Sequence, residues 1–65
     1  MAETSRIILN VWYGDDGLFR WEVDLDEYGR VDTIASGKHE DKIRAYQDGA
    51  RAITTILKLW DKDTR

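Results

Sequence analysis

Carboxylates form the densest chemical pattern in this chain. Asp15, Asp16, Glu22, Asp24, Asp26, Glu27 and Asp32 crowd one segment that holds only Arg20 and Arg30 as bases. Acid–base catalysis needs two carboxyls in one pocket whose surroundings drive their pKa values apart. Here the acids fall on turns and on a polar strand face, where water keeps them ordinary, so no catalytic pair is expected. A calcium loop needs alternating acids closed by a later glutamate. Asp24-Leu25-Asp26 with Tyr28-Gly29 is a fragment of that spacing and lacks the rest. Nucleophilic catalysis needs a hydroxyl or thiol beside a base. Ser36 stands three positions before His39, yet no glycine-rich elbow accompanies them, and a serine at such a junction caps a turn or a helix end.

Other chemistries lack their residues. Cysteine is absent and His39 is the single histidine, which leaves no disulfide framework and no thiolate or imidazole cluster for a metal. Neither a phosphate-cradling Gly-x-x-x-x-Gly-Lys nor a dinucleotide fingerprint occurs. The expectation is a non-enzymatic chain that uses no cofactor and no metal and acts by binding.

The elements that position the acids follow from periodicity. Sixty-five residues allow one domain. Met1 to Ser5 is polar and expected to fray. Residues 6–13 alternate, with Ile7, Leu9, Val11 and Tyr13 on one side and Ile8, Asn10 and Trp12 on the other, a strand pattern. Gly14-Asp15-Asp16-Gly17 supplies a hairpin turn. The second strand, 18–25, sets Phe19, Trp21, Val23 and Leu25 against Arg20, Glu22 and Asp24. A further turn at 26–30 precedes a weaker strand over 31–36, which Gly37 is expected to break. Residues 39–60 read as one helix. Ile43, Tyr46, Ala50, Ile53, Leu57 and Trp60 form one stripe, and Ala45, Gly49, Ala52, Ile56 and Leu59 form a second beside it.

The predicted fold is α+β: a three-stranded antiparallel β-meander packed against one long C-terminal α-helix, over the face bearing Phe19, Trp21, Val23 and Leu25. One helix covers one face, so Ile8, Trp12 and Leu18 are candidates for the open side. The apolar arc near Ile56 and Leu59 exceeds what a small sheet buries. Trp12, Ile56, Leu59 and Trp60 are therefore the candidate apolar interface of a homodimer.

Charge narrows the partners. The segment 15–32 carries seven acids and two bases, and 33–65 carries seven bases and five acids, within a net charge of −3. An acidic hairpin repels phosphate and attracts a basic surface. Direct nucleic-acid binding is not expected, although sheet-plus-helix domains exist that bind DNA through basic outer faces. No apolar run approaches a membrane span, and no basic start with an apolar stretch signals export, so a cytoplasmic location is expected. The seven acids are the candidate partner-binding residues, facing a basic, nucleic-acid-binding protein surface.

In its size, its acidic run from Asp15 to Asp32 and its lack of cysteine and catalytic motifs, the chain resembles the small acidic proteins of phages and mobile elements, anti-CRISPR and anti-restriction inhibitors among them. The resemblance spans the whole chain and rests on no diagnostic motif. It implies an inhibitor that imitates nucleic acid, in the host cytoplasm. The net charge of −3 is modest beside strong mimics of this type.

Overall fold

A computed structural model describes residues 5–63. Three strands, β1 (Ser5–Tyr13), β2 (Phe19–Glu27) and β3 (Arg30–His39), are followed by a single helix, α1 (Lys42–Asp63). The strands form one antiparallel sheet in the order β1-β2-β3. The expected βββα arrangement is the observed one. Of the segment expected to fray, only Ser5 belongs to the described residues, and it opens β1.

Both hairpins are built by their turn residues. In the first, the Gly14 N–H donates to the Leu18 carbonyl at 2.7 Å and the Gly17 N–H to the Gly14 carbonyl at 3.1 Å. Asp16 Oδ1 accepts the Leu18 N–H at 3.2 Å, and Gly17 takes φ 82°. In the second, Glu27 pairs with Arg30, which leaves a two-residue loop. Tyr28 at φ 56° and Gly29 at φ 81° give it the left-handed pair of a type I′ turn.

β3 departs from expectation twice. It runs through Gly37 to His39 instead of ending at Ser36, because Gly37 faces Trp21 across the ladder. A Cβ on Gly37 would stand 2.7 Å from Cζ2 and Nε1 of Trp21, so the glycine makes room for an indole. The register also shifts. Val23 pairs with Ala35 and Asp24 with Thr33, so Ile34 is the extra residue of a β-bulge. Beyond the bulge the two faces of β3 exchange parity, and Thr33 and Ser36 both fall on the open face.

The helix begins three residues later than periodicity predicts, at Lys42. His39 closes β3, and its Nδ1 accepts the Asp41 N–H at 3.0 Å. Asp41 then acts as N-cap, its Oδ1 accepting the Ile43 N–H at 2.9 Å. With no glycine or proline at its end, the helix continues to Asp63.

The helix crosses the face of β1–β3 that carries Leu9, Val23 and Leu25. The residues nearest the sheet are its smallest. Ala45 and Gly49 are buried, and a Cβ on Gly49 would run into Leu9 Cδ1. Val23 and Ala45 are the fully buried apolar side chains among the described residues. Ile56 and Ala52 are half-buried, whereas Ile43 is 67% exposed and Leu57 48%. The surplus apolar arc was expected around Ile56 and Leu59. It lies largely on the other stripe, because close packing needs small residues and draws the Ala45–Gly49 stripe onto the sheet.

Candidate functional site

The open sheet face is set by parity and register. Arg6, Ile8, Asn10 and Trp12 of β1 stand opposite Asp26, Asp24, Glu22 and Arg20 of β2. On the other flank Val31, Thr33, Ser36 and Lys38 of β3 complete it. Asp24 is at the centre and only 7% exposed. Its two oxygens are shared between neighbouring strands: Asn10 Nδ2 donates to Oδ2 at 3.3 Å and Thr33 Oγ1 to Oδ1 at 3.0 Å. The bulge makes the second bond possible by turning Thr33 outward.

Glu22 lies two residues along the same strand on the same face. Its pKa is raised, first by a hydrogen bond shared with the Asp24 carboxyl, then by desolvation and by the Asp24 charge, while the Thr33 hydroxyl works the other way. No described Lys or Arg forms an ion pair with either carboxyl. The pair is a concentration of negative charge that the fold itself does not neutralise.

The seven acids do not share one surface. Glu22, Asp24 and Asp26 lie on the open face. Asp15 and Asp16 sit in the first turn. Glu27 and Asp32 take the opposite parity at the far end, where the Ser5 hydroxyl donates to Glu27 at 3.4 Å. Three acids are held by arginines: Asp26 by Arg6 at 3.2 Å, Asp16 by Arg20 at 2.7 Å and Asp32 by Arg30 at 3.3 Å. These arginines belong to the sheet and not to the helix. Sequence reading had no signal for Arg6, because its partner is twenty residues away and only register brings them together.

No protein-family model, curated protein or solved structure matches the chain.

Beside Glu22 is a shallow hollow of about 350 Å³ lined by Trp12, Arg20, Glu22, Ser36 and Lys38. Trp12 is 44% exposed, so an indole face, a carboxyl and a serine hydroxyl converge there. The Arg20 guanidinium is engaged by Asp16. Ser36 and His39 fall on opposite sides of β3, which excludes a dyad between them. Among the described residues no group of three or more His, Cys, Asp or Glu side chains is placed to hold a metal ion. No described helix is long and apolar enough to cross a membrane. Of the candidate apolar interface, Trp12 is on the open face, while Leu59 and Trp60, 56% and 39% exposed, are on the helix. Ile56 is half-buried beside Ile34 and Ala35 of β3. The four do not form one patch.

Proposed function

We propose that this chain is a non-enzymatic protein-interaction module whose open sheet face receives a basic segment of a partner protein. The observation that carries the reading is the Glu22–Asp24 pair, two adjacent carboxyls to which the fold supplies only neutral hydrogen-bond donors and no described cation. A guest guanidinium at Glu22 would offset the negative charge of the pair and would lie over the Trp12 indole, where cation–π attraction adds to the ion pair. Asp26, already held by Arg6, contributes less.

The finer reading is an inhibitor that imitates nucleic acid. It calls for a row of carboxylates along one surface, and the described acids fall on three. A short basic peptide therefore fits this face better than an extended nucleic-acid channel does. Lys38, on the rim of the hollow, opposes a cationic guest.

A fluorescein-labelled oligo-arginine peptide, titrated and followed by anisotropy at two salt concentrations, tests the proposal. Binding is expected to weaken as salt rises, to fall at least about tenfold in Glu22→Gln/Asp24→Asn, and to strengthen in Lys38→Ala. Equal affinity in the wild type and the double variant overturns it.

A further inference from the structure

The exposed stripe of α1 is the largest feature that the open sheet face leaves unexplained. At 3.6 residues per turn, Ile43, Tyr46, Ala50, Ile53, Leu57 and Trp60 line one side of the helix. Gln47 and Thr54 border them on the side away from the sheet. Between residues 43 and 60 this arc, roughly 140° wide, contains no charged residue. The charges Arg44, Arg51 and Lys58 all follow the next flank around. A helix flank that stays in water normally carries charge. Here Ile43 is 67% exposed, Leu57 48% and Tyr46 46%. Beside the stripe an open groove runs between α1 and β1, lined by Ser5, Arg6, Ile7, Ile53, Leu57 and Trp60.

We infer that a second copy of this chain covers the stripe, its helix packed antiparallel against the first about a two-fold axis. Two observations select a second copy over another partner. The spacing of the stripe reads the same from either end: steps of three, four, three, four and three. Antiparallel pairing therefore sets Ile43 against Trp60, Tyr46 against Leu57 and Ala50 against Ile53, so that every member meets another member and no charge is buried. That is the self-complementarity a two-fold interface requires. The second observation is need. With Val23 and Ala45 as the fully buried apolar side chains among the described residues, the lone chain hides little apolar surface. A second copy supplies a matching apolar cover without calling on any other partner. The exposed parts of Ile43, Tyr46, Leu57 and Trp60 offer on the order of 400 Å² per copy. With Gln47, Ala50 and Thr54 added, a pair of copies approaches about 1,200 Å², where specific interfaces begin.

This interface differs from the Trp12, Ile56, Leu59 and Trp60 set that the sequence offered, and it is independent of the Glu22–Asp24 surface. Sedimentation equilibrium of the wild type is expected to show a dimer. Ala50→Glu, at an exposed helical position, is expected to raise the dimer Kd at least about tenfold, while Lys58→Glu and Glu22→Gln leave it unchanged. Because the chain has no cysteine, crosslinking at one introduced site is clean: a short bis-maleimide is expected to join Ala50→Cys chains into a covalent dimer across the two-fold and to leave Lys58→Cys, far from the axis, unjoined. This second measurement decides the matter if Ala50→Glu does not fold. A wild type that stays monomeric at all concentrations overturns the inference, as does a dimer that neither Ala50→Glu weakens nor Ala50→Cys captures.

Discussion

Replacing Gly37 by alanine sets two physical effects against each other at a site where the structure assigns the winner. Gly37 is in β3 with φ outside the left-handed region, so an alanine there meets no backbone strain. Reduced freedom of the unfolded chain then favours it by about 0.4–1 kcal/mol. Against this, the new methyl would lie 2.7 Å from Cζ2 and Nε1 of Trp21 and 2.8 Å from Cε2. Ordinary carbon contacts are about 3.5–4.0 Å. An indole cannot yield at one atom, so the whole ring must move, and overpacking of this kind costs about 1–3 kcal/mol. The net expectation is a loss of about 1–2 kcal/mol, a large share of the roughly 3–10 kcal/mol that a domain of this length holds. Urea denaturation followed by far-UV circular dichroism, compared at equal protein concentration, should show a lower midpoint with an unchanged slope. In a Trp21→Leu background the same substitution should become neutral or stabilising, since the ring is gone. A Gly37→Ala protein more stable than the wild type would refute the account of why this glycine is in a strand.

Further outcomes follow from the second hairpin and the carboxyl pair. Tyr28→Asn should raise stability by about 0.5–1 kcal/mol in the same denaturation assay, because asparagine accepts the left-handed conformation that Tyr28 holds at φ 56° with less steric cost. Glu22 titrates above its ordinary range in the folded chain, so the folded state binds its proton more tightly than the unfolded state. That contribution to stability is fully present below the unfolded pKa and is lost as pH rises through the folded pKa. Glu22→Gln should remove this fall, and thermal midpoints measured across the acidic range for both proteins will show whether the two curves converge at low pH.

Much of the fold was legible because local pattern and global packing agree. Phe19, Trp21, Val23 and Leu25 alternate cleanly with polar neighbours, and the helical stripes repeat over five turns, so the strand, the helix and the sheet face that the helix covers could be read directly. Three features were hidden for physical reasons. A bulge leaves no residue signature of its own, so the parity change at Ile34, which brings Thr33 to Asp24, is set by tertiary twist. Gly37 looks like a breaker until the ring opposite it is known. The sheet-facing stripe was obscured because hydrophobicity ranks Ile43 and Leu57 above Ala45 and Gly49, whereas close approach of backbone to sheet favours the smaller pair. At the candidate site the acids were visible and their neutralisation was not. Arg6 reaches Asp26 through strand register, and nothing in the spacing announces that ion pair.

The meander has a kinetic consequence. Each strand pairs only with its neighbour along the chain, so the sheet closes through two short loops and never has to trap a distant segment. Such low contact order favours rapid formation of the hairpins. The helix, last in the chain, then docks on a surface that already exists. If docking and pairing of two copies are separate steps, refolding should show a fast phase indifferent to protein concentration and a slower one that quickens as concentration rises.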